Sequence, residues 1–443
     1  MASPIAEIER LSPEECYERV DKSLLVCQMR YVLEKSLFYN AKYKNYGIEA
    51  EKAKDIQIFS ELPFTSKKEL LIEQEKFPPF GRLATKNNQN DLRRVHITSG
   101  SSGKPLYIVL TEKDLAATVE AGRRAFTCAG LTSQDRVIHC LNYCLWAGGV
   151  TDHLNLESTG ATVIPFGIGN SKNLVRTIIQ LRPTAISCTP SYLSRLECVI
   201  HDEFSLKPPD LGLQKAFLGG EGGLQNPKIR SRIEDQWKIR AIDANYGMAD
   251  VLSIFGSECE TRQGLHFHGQ GILYLELIDP ETGKNLALTD GQVGEMVLTN
   301  LKREAQPLVR YKSGDLIKIV STRPCDCGRR SLRFVVEGRT DDMIVVKGIN
   351  IYPSAVANLL GESPRWFSGE FEFVLNSPPP LERPLLRVEL TIEAESTDEE
   401  KLKTYLMQRC KEELQFTPQL ELMAFGQFPR TEGKTKRVRK SIG

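Results

Sequence analysis

Residues 94–110 read RVHITSGSSGKPLYIVL, two short apolar runs joined by a loop of serine and glycine. The flanks RVHIT and LYIVL are rich in the β-branched and aromatic residues that suit strands. Between them, TSGSSGKP at 98–105 can turn several backbone N–H groups toward one point, because glycine tolerates the angles this needs. Ser99, Ser101 and Ser102 add hydroxyl donors, Gly100 and Gly103 permit the tight turns, and Lys104 supplies a point charge. Such a set suits a phosphate. It is not a Walker A loop, because the four-residue spacer and the Ser/Thr after lysine are missing, and a strand follows it rather than a helix. Read alone, such a stretch is more often a plain surface turn.

Outward from this loop the texture is regular. Residues 1–90 are polar and helical in pattern. Thr111 with Asp114 forms a capping-box start for a helix that Gly130 ends. DRVIHCL, ATVIPFG and TAISCT then read as strands, with SKNLVRTIIQLRP and PSYLSRLECVI as helices. This alternation predicts a mainly parallel sheet with helices on its faces. From about 252 to 336 the pattern turns to strands and hairpins, with Pro280 and Gly283 shaping one turn. The charged segment EGRTDDMIVVKG then marks a boundary. Beyond it lie the strands FEFVL and LLRVELTIE, a proline-rich loop at 378–380, and a helix opened by Thr397 with Glu400. The expectation is an α/β chain. A large N-terminal body, 1–338, combines parallel sheet, helices and a β-rich part; a small α+β lid occupies 339–443.

Charge excludes some partners. With 58 Lys+Arg against 57 Asp+Glu, the chain has no general attraction to nucleic acid or to a membrane surface. It contains no apolar run long enough to span a bilayer, and its start lacks a signal core. Eleven cysteines without a secretion signal suggest a reducing compartment, hence a cytoplasmic enzyme with thiols or metal ligands rather than disulfides. Cys259, Cys325 and Cys327, with a histidine, could form a closed tetrahedral zinc site. The sequence leaves a homodimer open.

Further motifs follow the loop in a fixed order: LGGEGG at 218–223, NYGMAD at 245–250, RYKSGD at 310–315, GRTDDMIVVKGINIYP at 338–353, and PRTEGKTK at 429–436. Together with TSGSSGKP they resemble the motifs of the adenylate-forming superfamily of acyl-CoA synthetases and adenylation domains. CLWAGGVTDH, GATVIPFGIGN, TPSYL, IDPETG and CDCGR are similar to segments of its phenylacetate–CoA ligase and coenzyme F390 synthetase group. The resemblance implies an ATP-dependent ligase that forms an acyl-AMP, releases pyrophosphate, and passes the acyl group to coenzyme A.

It also implies roles. Ser99 to Lys104 would hold the outer phosphates, with Mg²⁺. Tyr246, within Asn245–Gly247, would stack on adenine, which Glu221 and the backbone at Gly219–Gly220 would edge. Asp315 would bind both ribose hydroxyls, Arg339 would approach the phosphates, and Asp341 would be the hinge of the lid. Lys434 matches the catalytic lysine carried by the lid, with Lys436 as fallback. Asp250 stands where the family has a magnesium-binding Glu, one methylene shorter. Ala249 replaces a hydroxyl residue, which leaves the phosphate geometry open. Tyr143 and Trp146 would wall an aromatic-acid pocket, with Gly220, Gly222 and Ala244 leaving room for the ring. His266 completes the zinc set, with His268 the alternative. The acid expected is phenylacetate-, benzoate- or aminobenzoate-like. Alternatives for the second step are an amine, giving an amide, or a carrier-protein thiol; adenylation of a deazaflavin hydroxyl and a non-catalytic nucleotide-binding role rank lower.

Overall fold

A computed structural model of the protein describes residues 5–85, 91–98, 105–222, 224–340, 342, 344–346, 349–376, 381–428 and 437–440. Ser99, Gly100, Ser101, Ser102, Gly103, Lys104, Asp341, Lys434 and Lys436 lie outside the described residues. The roots of the Ser/Gly loop are described. β1 (Arg94–Ile97) and β2 (Tyr107–Leu110) form an antiparallel hairpin, as the sequence predicts. Below it, Thr98 N–H donates to the Leu106 carbonyl at 3.0 Å. Both ends of the loop are therefore pinned.

The helix Glu112–Cys128 starts on the expected capping box, Thr111 accepting from the Asp114 N–H. Five strands then align in parallel: β3 (Arg136–His139), β4 (Thr162–Pro165), β5 (Ala185–Cys188), β6 (Lys215–Gly219) and β7 (Arg240–Met248), in the order β4-β3-β5-β6-β7. Helices Ala147–Glu157, Ser171–Leu181, Pro190–Phe204 and Pro227–Trp237 alternate with them. A right-handed crossover through a helix is the ordinary way to make strands run parallel.

The β-rich part is not a separate layer. β8 (Leu252–Glu258) turns back antiparallel on β7, with Tyr246 opposite Gly256. β9 (Leu265–Phe267), β10 (Leu273–Ile278), β11 (Asn285–Leu286), β12 (Val293–Asn300), β13 (Tyr311–Ser321) and β14 (Arg333–Arg339) continue from there. The result is one 12-stranded sheet, parallel in one half and antiparallel in the other. Gly247 permits this junction, since a Cβ there would lie 2.0 Å from the Ser253 carbonyl oxygen.

The small C-terminal sheet domain comes next. β15 (Ile344–Val346) pairs with β16 (Ile349–Ile351). β17 (Phe367–Leu375), β18 (Leu385–Leu390), β19 (Gln419–Met423) and β20 (Val438–Lys440) make a four-stranded sheet with a core of its own around Phe367, Phe371, Phe373, Val388 and Leu406. Its long helix runs Glu399–Leu414 and is capped by Asp398. The sequence placed that start on Thr397, which instead closes the preceding turn by donating its N–H to Ala394. Asn226 Nδ2 donates to the Asn358 carbonyl at 3.0 Å and holds this domain against the helix Pro227–Trp237. Among the described residues no helix is long and apolar enough to cross a membrane.

Candidate active site

The motif residues gather at the carboxyl ends of β5, β6 and β7 and at the start of β13, the end of an α/β sheet where ligands generally bind. Gly219 ends β6, and a Cβ on it would meet Asn245 Cβ at 2.4 Å, so only glycine lets these two strand ends come together. Gly220 follows with φ +78, in the left-handed region. Glu221 then bends over the start of helix Pro190–Phe204. Its carboxylate accepts from Ser191 Oγ at 3.0 Å and from the Ser191 N–H at 3.3 Å. Burial raises the Glu221 pKa. Glu221 is thus engaged with the helix N-terminus. Gly222 is exposed, with nothing within 4 Å of its Cβ position.

Tyr246 is half-buried, with its ring edge-on to Phe255 and Phe334 at 5.2 Å between centroids. Its hydroxyl donates to Asp315 Oδ2 at 2.7 Å. Burial, and then the Asp315 charge, push the Tyr246 pKa well up. The other carboxylate oxygen, Asp315 Oδ1, takes a hydrogen bond from Arg339 Nη1. Arg339 Nη2 donates to the Ser313 carbonyl at 3.4 Å. The structure therefore seats Arg339 on Asp315. Three motifs meet on one carboxylate.

Asp250 is buried, and its Oδ2 accepts from the Tyr311 hydroxyl at 2.5 Å. Behind it lies the buried Arg303, whose Nη1 donates to the Val251 carbonyl at 3.0 Å. Tyr311 lies within the motif RYKSGD, whereas Arg303, in the stretch leading into it, does not stand out in sequence.

The aromatic pair is held by the turn after β3. Gly149 lets the helix Ala147–Glu157 press on that turn, since a Cβ there would lie 2.2 Å from the Asn142 carbonyl oxygen. Tyr143 OH and His153 Nδ1 are 3.1 Å apart, and His153 Nε2 is 3.1 Å from Glu157. Leu145 takes a positive φ of 63, and its carbonyl accepts from Ile97 N–H at 3.0 Å. Half-buried Trp146 is thereby brought beside the end of β1 and the root of the Ser/Gly loop. Ala244 is placed differently. It is fully buried in the core shared with Phe126, Phe217 and Ile254, so it packs the sheet rather than opening a wall.

Sequence reasoning missed Asp152, on the helix Ala147–Glu157 and 1 % exposed. Asn245 Nδ2 donates to its Oδ2 at 2.8 Å. An acidic residue inside CLWAGGVTDH was the available signal. Burial pushes the Asp152 pKa up to about 8.

The sulfur cluster forms at the far side of β8 and β9. Ligand atoms of Cys259, His266, Cys325 and Cys327 all lie within 4.8 Å of one another. Cys259 and Cys325 sulfurs are 3.7 Å apart, and Cys327 Sγ is 3.5 Å from His266 Nε2. These separations fit four donors about one tetrahedral zinc. His266 Nδ1 faces Ser331 Oγ at 3.1 Å, the usual way a ligating ring is oriented. His268, the alternative ligand, is otherwise engaged: Nε2 meets Ser257 Oγ at 2.9 Å, and Nδ1 meets Glu9 Oε1 at 3.1 Å. Cys128 joins the buried sulfur cluster and was not foreseen.

The chain belongs to the AMP-binding enzyme family. The model of that family matches residues 13–300, and that of its C-terminal domain matches residues 348–441. Phenylacetate-coenzyme A ligase of Thermus thermophilus is 31% identical, over 98% of this chain and 98% of its own length. A solved structure of 2-hydroxyisobutyryl-CoA ligase in the postadenylation state, with R3-HIB-AMP, superposes with a TM-score of 0.87 at 28% identity, covering 98% of this chain and 91% of that one. The same ligase with 2-HIB-AMP and CoA in its thioesterification state gives 0.69 at 29% identity, covering 98% and 91%. This member of the adenylate-forming superfamily therefore shares the domain arrangement of the postadenylation state more closely than that of thioester formation.

The buried acid gives a pH prediction. Asp152 binds its proton more tightly folded than unfolded, so its contribution to stability is full below about pH 4 and declines as pH rises toward 8. Asp152→Asn removes that decline. In urea melts the variant should gain on the wild type between pH 5 and pH 8; an equal difference at both pH values contradicts the assignment.

Proposed function

We propose that this family member is an AMP-forming acid–coenzyme A ligase acting on an aromatic carboxylic acid. The activity is the ATP-dependent activation of an acid as acyl-AMP, followed by transfer to coenzyme A, in keeping with the named activities of the relatives. The single observation that carries the nucleotide half is the Asp315 carboxylate, joined at once to Tyr246 and Arg339. The resemblance makes this carboxylate the acceptor for the vicinal ribose hydroxyls, a role its paired oxygens suit. Tyr246 would offer its ring to the base; it follows Asn245, which pairs with Gly219 at the end of β6, where the backbone would edge the base.

The aromatic acid rests on Tyr143 and Trp146. Tyr143 is hydrogen-bonded to His153 and the Trp146 backbone lies beside the loop root, and flat apolar faces suit a planar ring. Gly222 leaves open space near the end of β6. The acid's carboxylate oxygen attacks the α-phosphorus, pyrophosphate leaves, and the coenzyme A thiol then displaces AMP from the acyl carbon. The Ser99–Lys104 loop holds the departing phosphates in this account. Asp250, shorter than Glu and tied to Tyr311, would hold Mg²⁺, which supplies charge neutralisation of the phosphates.

The division falls near Asp341, with 1–338 as the nucleotide- and acyl-binding body and 339–443 as the lid. The two domain arrangements seen in the hydroxyisobutyryl ligase support such a swing. Cys259, His266, Cys325 and Cys327 would hold a structural zinc, which ties β8 and β9 to the loop after β13.

Pyrophosphate release over a panel of benzoates, phenylacetates and aminobenzoates, with and without coenzyme A, tests the reading. Aromatic acids should release pyrophosphate, and coenzyme A should turn over as the acyl-CoA. Preference for branched aliphatic acids overturns the acid class; turnover that needs an amine in place of coenzyme A overturns the acceptor. Replacing Lys434 by Ala should slow acyl-AMP formation on the order of 10²–10³-fold. Transfer from preformed acyl-AMP should be spared, and equal loss in both steps rejects this lysine in favour of another. Purified protein, never exposed to chelator, should carry near one zinc per chain by metal analysis; none at all sinks the zinc site.

A further inference from the structure

Asp152 and Asn245 form a buried polar pair that the adenylation chemistry does not require. Asp152 sits on the helix Ala147–Glu157 and is 1 % exposed. One of its oxygens, Oδ2, accepts from Asn245 Nδ2 at 2.8 Å. A buried carboxyl holds its hydrogen-bond partner in one orientation, and here that partner is the Asn245 carboxamide. Ser253 is its other side-chain partner, and Asn245 is the one that belongs to the nucleotide motif.

That neighbour stands at the mouth of the site. Asn245 is half-buried, directly precedes Tyr246, and lies over Gly219, where no side chain could replace the missing Cβ. A carboxamide is nearly symmetric in shape but opposite in its two ends, one donating and the other accepting. With Nδ2 turned inward to Asp152, the planar amide sends Oδ1 the other way. Among the described residues this Oδ1 takes no hydrogen bond, although it is not among the buried unsatisfied atoms. An accessible acceptor is therefore presented where β6 and β7 end.

We propose that Asp152 is a positioning residue that fixes the Asn245 carboxamide, so that Oδ1 faces the cleft and selects a substrate carrying an N–H or O–H donor. Two sources of that donor are present in the reaction: the exocyclic amino group of adenine, and an amino or hydroxyl substituent on the acid. A site built to hydrogen-bond a donor rejects the analogue that lacks it, because its own polar group is left unpaired. Asp152 acts through Asn245 and touches no substrate. The inference rests on the nucleotide-site reading above, but not on any particular acid.

The test uses the full chain and binding rather than turnover. AMP, purine riboside 5′-monophosphate (which lacks the amino group) and inosine monophosphate (whose 6-oxo group accepts) are titrated calorimetrically. Wild type, Asp152→Asn and Asp152→Leu are compared. In a second arm, pyrophosphate release is measured with acid pairs that differ by one amino or hydroxyl group. The wild type should prefer AMP to the deamino analogue by ~5–10-fold, the worth of one hydrogen bond. Asp152→Asn, which keeps an acceptor oxygen, should retain the preference, and Asp152→Leu should lose it. If the nucleotide ratios are equal in all three proteins but the acid preference follows the same pattern, the donor is on the acid. Asp152→Leu retaining both preferences overturns the proposal, and so does a wild type with neither. Tighter binding of inosine monophosphate shows the amide turned the opposite way and also overturns it. Should Asp152→Leu not fold, Asn245→Ala must abolish the preference, and its retention is equally fatal. Absence of acyl activation with every acid would remove the ligase reading while leaving the nucleotide ratios readable.

Discussion

The Asp315 carboxylate joins the two halves of the sheet, and the proposed nucleotide site depends on it. Tyr246 reaches it from the end of the parallel half of the sheet, and Arg339 reaches it from the last strand of the antiparallel half. These are the two halves that Gly247 allows to join as one sheet. A charged acceptor strengthens each bond to it, and burial makes leaving either oxygen unpaired expensive. Removing this carboxylate would therefore loosen a tyrosine ring, a strand end and the approach to the lid together. Arg339 is the last residue of β14 and the hinge expected at Asp341 lies just beyond, so in the proposed reading nucleotide contact and lid position would share one ion pair.

Glycine and buried polar contacts do complementary work around that point. Gly149, Gly219 and Gly247 each stand where an added Cβ would meet backbone or a neighbouring Cβ at 2.5 Å or less. They bring chain segments closer than any other residue would permit. The polar contacts then orient what the glycines have brought near: His153 the Tyr143 hydroxyl, Asp152 the Asn245 amide, Tyr311 the Asp250 carboxylate. The sulfur cluster is a separate device on the far side of β8 and β9. Its neighbours tie the start of the chain to it through a buried Arg329–Glu9 ion pair and a Glu9–His268 hydrogen bond.

Much of this was legible in the sequence, and for physical reasons. The strand–helix alternation of 136–204 follows from local patterning, and the Thr111 capping box from a contact three residues long. The Cys/His set was legible because few residue types bind metal, so their coincidence is informative. What was not legible depends on contacts between distant segments. Nothing local says that β8 returns antiparallel to fuse the two halves into one sheet. Ala244 looked like pocket space because it is small, yet smallness also serves packing, and it lies in the core. His268 and His266 are indistinguishable as residue types; only the partners of both His268 nitrogens, one of them Glu9, separate them. Asp152 was hidden for the same reason, its partner being 93 positions away.

The central claim is that this site makes an acyl-adenylate as a discrete first product. A rapid-quench single turnover with α-labelled ATP and an aromatic acid, with coenzyme A omitted, tests it most directly. Labelled acyl-AMP should accumulate to about one per active site, together with pyrophosphate, and adding coenzyme A should convert it to acyl-CoA and free AMP. Label emerging as ADP, or as AMP with no acyl-AMP intermediate, would contradict the account.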